Sequence, residues 1–265
     1  LKDKISIAYC PERVLPGNII YELINNDRII GGINDNSNHI ATKFYKKFVK
    51  GGLYTTNART AEMCKLVENS SRDVQIAYAN ELSIICDKAG INVWELIDLA
   101  NKHPRVNILN PGCGVGGHCI AVDPYFITNQ FPKESKMIGT ARQINNFKPE
   151  WCLKKINTKI LELEDLGLKN PKIGVFGLAF KPNIDDLRES PALKIALDIF
   201  HKRYSKNVYF FEPNIDSHDI LSISKIEEDF IKTLDLAVIL VNHKEFQNIS
   251  FDKGSCIINF TQLNK

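Results

Sequence analysis

The opening stretch of the chain alternates short apolar pieces with polar ones. Residues 4–9 read as a short strand ending at Pro11, residues 28–30 as a second before Gly31 and Gly32, and residues 39–49 carry helical spacing. Three strands at most cannot close a sheet, so this stretch is expected to be the end of a domain whose remaining strands lie elsewhere. From Asn57, a suitable N-cap, a helical pattern runs to Gly90, with Val67, Val74, Tyr78, Leu82, Ile85 and Ala89 on one apolar stripe. A second helix is predicted over 93–102, stopped by Pro104. A third runs from near Lys133 to about Leu166 and tolerates Pro149 only as a kink or a break.

At Pro171 the pattern changes. Continuous apolar runs at 172–180, 207–212, 236–241 and 255–260 read as buried strands, with helices expected from the Ser190-Pro191 cap to about Arg203 and over 224–233. Strands alternating with helices of that length predict a parallel sheet with right-handed crossovers and a ligand at the strand C-termini. The fold class is therefore α/β. The end of a Rossmann-like domain (1–57) is followed by a central helical domain (58–168) and a C-terminal Rossmann-like parallel-sheet domain (169–265).

Composition narrows the function classes. The 265 residues carry 34 Lys and Arg against 31 Asp and Glu, a net charge of +3 with no basic block, which argues against a nucleic-acid partner. The longest apolar runs are too short for a membrane span, and no signal peptide opens the chain. Seven cysteines, an odd number without a dense framework, point to a reducing, cytoplasmic compartment. The chain begins at Leu1 and its first methionine is Met63, so it is expected to be the later part of a longer protein.

The densest chemistry lies in Asn110-Pro-Gly-Cys-Gly-Val-Gly-Gly-His-Cys-Ile-Ala-Val-Asp123. It contains a literal G-x-G-x-x-G at Gly112, Gly114 and Gly117, but the dinucleotide fingerprint needs a strand before it and a helix directly after, and neither pattern is present. The glycines are better read as letting the backbone wrap to present a side chain. Cys113, His118 and Cys119 lack a second pair at ligand spacing, so no metal site is assigned. Cys119 followed by Asp123 suits a nucleophile with an acid one turn away, against the alternative of a buried structural thiol. A Cys119–His118 hydrolase is a further alternative, although adjacent residues seldom face one another. Lys65 and Asn69, four apart on the long helix, could present an ammonium and an amide to one ligand. Glu12 follows the first strand, and Lys181 and Arg188 flank the last domain's strand-to-helix loop, where phosphate is commonly held. Each also has an ordinary surface reading.

Five strings in order, Asn26-Asp-Arg-Ile-Ile-Gly-Gly32, Thr60-Ala-Glu-Met-Cys-Lys-Leu-Val-Glu-Asn69, His103-Pro-Arg-Val-Asn-Ile-Leu109, Gly114-Val-Gly-Gly-His-Cys-Ile-Ala-Val-Asp-Pro124 and Ala179-Phe-Lys-Pro-Asn-Ile-Asp-Asp-Leu-Arg-Glu-Ser-Pro191, within a match that begins at Tyr9-Cys-Pro-Glu-Arg-Val-Leu-Pro-Gly17, resemble the UDP-glucose/GDP-mannose dehydrogenase family. The resemblance covers essentially the whole chain and is strongest to the branch acting on UDP-N-acetyl-D-mannosamine. It implies oxidation of the sugar C6 alcohol to a carboxylate with two NAD⁺, for surface-polysaccharide synthesis. The nucleophile would be Cys119, with Asp123 its partner acid, Lys65 and Asn69 holding the reacting oxygen and a water, and Glu12 an acid in the Pro-Glu motif. The family's second acid, four residues further on, is here Pro16. Arg105 would reach a neighbouring subunit's substrate across a homodimer built on the long helix. Gly116, Gly117 and Lys181 would contact the UDP-sugar, and Arg188 the cofactor or diphosphate. The same chemistry on UDP-N-acetylglucosamine or UDP-glucose, and a UDP-sugar-binding dimerisation module without activity, remain the alternatives.

Overall fold

A computed structural model of the chain describes residues 5–14, 18–201 and 207–262. It divides into two compact units, residues 1–71 and 72–265.

In the first unit, β1 (Ala8–Tyr9) pairs antiparallel with β2 (Arg28–Gly32), and β2 pairs in parallel with β3 (Leu53–Asn57). The expected first strand is thus only two residues long, and Lys4 lies outside the described residues. Helix α1 (Ile19–Asn25) is not among the predicted elements, because Ile19, Ile20 and Tyr21 are exposed and none of its residues is fully buried, which leaves no core-facing stripe to read. Helix α2 occupies Asp35–Tyr45 and not 39–49, because the Asn34 side chain accepts from the Ser37 amide and starts the helix earlier than its apolar spacing does.

Helix α3 (Ala58–Ala89) has the predicted ends, with the Asn57 carboxamide accepting the Thr60 amide. Its predicted apolar stripe is not its packed face. Val67, Tyr78 and Ile85 are exposed, whereas Ser70, Asp73, Ala77, Asn80, Ser83 and Cys86 are buried. The helix is held by hydrogen bonds on its small and polar side, a face that apolar periodicity does not detect.

In the second unit α4 (Val93–Ala100) is followed by a long loop, then by α5 (Asp123–Gln130) and α6 (Lys136–Asp165). The third helical region therefore starts later than Lys133, and α5 is a separate helix opened by Pro124. Pro149 sits inside α6 without ending it.

Four parallel strands, β4 (Ile173–Phe176), β5 (Val208–Phe211), β6 (Leu236–Ile239) and β7 (Cys256–Asn259), form a sheet ordered β5-β4-β6-β7. Alternate strand residues serve opposite faces. Ile173, Val175, Phe210 and Val238 pack with α6 and with α7 (Pro191–His201), while Phe176, Phe211, Ala237 and Ile239 pack with Ile231 and Phe246. Arg203, the expected end of α7, lies outside the described residues. The helix expected over 224–233 is only the four-residue α8 (Glu228–Ile231), because Ile223 is held in an extended bridge to Phe210 and delays it.

Candidate active site

Strand order reverses between β4 and β6, since β5 lies to one side of β4 and β6-β7 to the other. Such a switch point opens a crevice at the strand C-termini. A cavity of about 310 Å³ lies there, lined by residues 179–182 after β4, 240–242 after β6, 261–262 after β7, and the loop segment 110–114. Lys181 lines it, with its ammonium 5.7 Å from the centroid of the Phe180 ring.

The same loop carries Cys119. The Gly117 amide donates to the Arg188 carbonyl at 3.0 Å, tying the loop to the segment before α7. Gly116 and Gly117 are buried in that contact. A Cβ on Gly116 would lie 2.5 Å from the Glu189 carbonyl oxygen and 2.6 Å from the Phe180 Cβ, and Gly117 adopts φ +81° against the Phe180 ring. This close packing accounts for glycine at both positions. Beyond it, the Asp123 amide donates to the Cys119 carbonyl at 2.8 Å, closing a helical turn that sets the half-buried Cys119 and Asp123 one turn apart.

Arg188 is exposed and grips Asp186, its Nη2 lying 2.6 Å from Oδ2 and its Nε 3.0 Å from Oδ1. These hydrogen bonds, chiefly, hold the Asp186 carboxyl down at about 2 and push the guanidinium further up. The pair sits beside the thiol loop, because the Arg188 carbonyl accepts the Gly117 amide two residues before Cys119.

The first unit holds Glu12, Lys65 and Asn69. Both Glu12 oxygens accept from the buried Arg28 guanidinium at 3.1–3.2 Å, and Oε1 also accepts the Arg13 amide. Arg28 in turn lies over the Tyr45 ring at 5.1 Å. The carboxylate is thereby fixed in orientation while half its surface stays open. Lys65 and Asn69 are half-buried, one helical turn apart on α3. Arg105 lies in the second unit, on an exposed turn after α4, its amide donating to His103 Nδ1 at 3.3 Å.

Sequence reasoning passed over the polar residues beneath these loops. Asn80, Asp73, Arg142 and Asn145 form a buried network between α3 and α6. Glu212 and His243 form another behind β4, where Glu212 Oε2 accepts the Leu178 and Ala179 amides. The recurrence of Ser70, Asp73, Asn80 and Ser83 at helical spacing was the available signal for the first. Glu212, directly after β5, was the signal for the second.

A parallel α/β domain with a cavity at its switch point, joined to a helical segment that presents a cysteine on a tightly packed glycine loop, defines a nucleotide-binding protein with a candidate nucleophile. Residues 59–147 match the UDP-glucose/GDP-mannose dehydrogenase family, central domain, residues 174–260 its UDP binding domain, and residues 1–49 its NAD binding domain, and the chain belongs to this family. It is 54% identical over 255 residues to UDP-N-acetyl-D-mannosamine dehydrogenase of Campylobacter jejuni, covering 94% of this chain and 61% of that protein. Among solved structures it is similar to UDP-D-ManNAc dehydrogenase of Pyrococcus horikoshii, with TM-score 0.86, 38% identity, and 98% of this chain and 62% of that one covered. It is also similar to UDP-N-acetyl-mannosamine dehydrogenase of Staphylococcus aureus, with TM-score 0.83, 42% identity, and 98% and 61% covered. The chain spans about three fifths of the length of the curated relatives it matches, 61% and 60% in two of them. No described helix is long and apolar enough to cross a membrane.

Proposed function

We propose that the protein carrying this chain oxidises the C6 hydroxyl of UDP-N-acetyl-D-mannosamine to a carboxylate, in two steps that each deliver a hydride to NAD⁺. Residues 1–57 would close the NAD-binding domain, 58–168 form the helical dimerisation domain and 169–265 the UDP-sugar domain, working in the cytoplasm. The observation that carries the reading is the junction within the second unit. The loop holding Cys119 also lines the switch-point cavity through residues 110–114, so a nucleotide held in the crevice would place its sugar toward the thiol.

The chain's residues suit the sequence of charges in that reaction. The first oxidation removes a hydride from C6 and a proton from its oxygen, leaving an aldehyde. The Cys119 thiolate adds to it, and loss of the second hydride from that adduct leaves a thioester. Water attacks the thioester, with Glu12 or Asp123 taking its proton, and the thiol leaves with the acid as product. Lys65 would stabilise the negative oxygen and Asn69 would hold the water, interactions that typically contribute ~10²-fold or more in rate. Lys181 would hold the nucleotide side of the substrate and Gly116 and Gly117 would contact it through their backbone. Arg105 would reach the partner subunit's substrate. NAD⁺ supplies the hydride acceptor, and the exposed Arg188, already beside the thiol loop, has the charge to hold its diphosphate.

Turnover of UDP-N-acetyl-D-mannosamine, UDP-N-acetylglucosamine and UDP-glucose by the full-length enzyme tests the proposal. Preference for the first supports it, and preference for UDP-glucose overturns the substrate assignment. A second reading concerns the chain alone. Its described residues contain no strand–GxGxxG–helix unit, which favours UDP-sugar binding without turnover. Calorimetry should then detect UDP binding and no NAD⁺ binding, and micromolar NAD⁺ affinity would refute that reading.

A further inference from the structure

We propose that Asn80 and Arg142, coupled through Asn145 and Asp73, are positioning residues that hold both ends of the loop carrying Cys119; the proposal rests on the reading of Cys119 as the nucleophile. The Gly112 amide donates to Asn80 Oδ1 at 2.9 Å, and Asn80 Nδ2 donates to Asn145 Oδ1 at 2.9 Å. Asn145 Nδ2 continues to Asp73 Oδ1 at 2.7 Å and to the Asp73 carbonyl at 3.0 Å. Arg142 Nη1 closes on Asp73 Oδ1 at 2.7 Å and reaches the Ile120 carbonyl at 3.5 Å. The relay begins at the loop residue seven before Cys119 and ends at the residue after it.

A side arm extends from the same guanidinium. Arg142 Nη2 donates to Asn146 Oδ1 at 2.8 Å, and Asn146 Nδ2 to the Tyr125 hydroxyl at 2.9 Å, which steadies the first turn of α5 where Asp123 stands. The four relay side chains are at most 4% exposed. Four buried polar groups between two helices are a costly way to pack a seam that apolar residues of similar size could fill, because each must keep its partner in a low-dielectric setting. What they provide that apolar packing would not is directed bonding to two loop backbone groups. The glycines make the loop flexible when unbound, so fixing its ends confines the thiol to one approach.

Amide hydrogen exchange and per-cysteine alkylation by iodoacetamide, read by mass spectrometry on the chain, test this. In the unsubstituted protein the Gly112 amide should be protected ~100-fold or more relative to an open amide, and protection below ~10-fold overturns the relay without any variant being needed. Asn80→Leu should raise exchange across 112–120 at least ~10-fold and change Cys119 alkylation several-fold, with the β4–β7 amides unmoved. Ile160→Val, adjusted by temperature to the same distance from its unfolding midpoint, should leave both readouts alone. Equal changes in the two variants would mean that Asn80 acts only through global stability. The exchange readout is independent of thiol chemistry, whereas full acid production by a Cys119→Ser enzyme would remove the nucleophile reading and leave the loop-anchoring result standing.

Discussion

Glu212 and His243 meet at 3.1 Å, Oε2 to Nε2, with no solvent reaching either side chain. The same oxygen accepts the amides of Leu178 and Ala179, so the carboxylate pins the turn that leaves β4 for the cavity. Burial by itself raises this carboxyl. The bonds from His243 and from the two amides outweigh it and hold the group below the ordinary glutamate range. A depressed folded value contributes stability that is complete above the unfolded value of ~4.3 and is lost as pH falls through the folded one. Glu212→Gln should therefore unfold more easily at neutral pH, by about 1–3 kcal/mol, since its amide turns a donor toward donors. The gap to the parent should narrow on acidification below pH ~4. Thermal unfolding from pH 3 to 8 checks this, and a gap independent of pH would show that the carboxylate charge is not what holds the turn.

The exposed pair at Asp186 and Arg188 gives a local readout. Arg188→Ala should let the Asp186 carboxyl rise from about 2 toward the usual ~3.9, because the guanidinium hydrogen bonds are the main cause of its depression. Carbon-detected NMR titration of the Asp186 side chain measures it. A carboxyl that stays near its original value would place the cause in the loop backbone, where the Arg188 amide also donates to Asp186 Oδ1.

Cys119→Ser in the full-length enzyme should slow acid formation on the order of 10³-fold or more while leaving UDP-sugar binding intact, because a serine hydroxyl is a far poorer nucleophile than a cysteine sulfur and its ester a less reactive acyl group than a thioester. Progress curves should show the first reduced cofactor equivalent without the second. Undiminished acid production would take Cys119 out of the chemistry.

Much of the second unit was legible because a parallel sheet covered on both faces writes itself as continuous apolar runs. β4, β5, β6 and β7 all fall inside the predicted stretches, and Ser190-Pro191 marks the start of α7, where the Ser190 hydroxyl accepts the Leu193 amide. α5 is absent from the predicted helices because its eight residues carry no apolar stripe, Tyr125 and Phe126 being exposed, although proline in the first turn of a helix is well tolerated. The Cys119 loop could be named from its glycines, yet the side chains that grip it could not. Asn80 and Asn145 are 65 residues apart, and nothing local to either shows that they meet.

Lys181 supplies the cavity with a flexible cation beside an aromatic ring. Lys181→Met keeps the stem and removes the charge, so UDP should bind the chain ~10-fold or more weakly, in line with loss of one charge-assisted hydrogen bond. The affinity of the unsubstituted chain should fall with added salt, and that dependence should be reduced in the variant. Calorimetry at two ionic strengths measures both, and unchanged UDP affinity would move the diphosphate away from Lys181.

Part of the apolar stripe that periodicity predicts on α3 is open in the single chain, with Tyr78 and Ile85 more than half exposed while Val74 and Leu82 are half-buried. A helix of 32 residues is about 48 Å long, enough for a two-fold contact with the same stripe of a second copy. Because these side chains project from the fold, Tyr78→Glu with Ile85→Glu should leave the thermal midpoint of the protomer nearly unchanged. The same charges would face each other across a two-fold seam and drive it apart. Light scattering should give a dimer mass for the unsubstituted chain and a monomer mass for the double variant. A monomer in both would mean that the stripe is covered by something other than a second copy, and Arg105 would then have no partner subunit to reach.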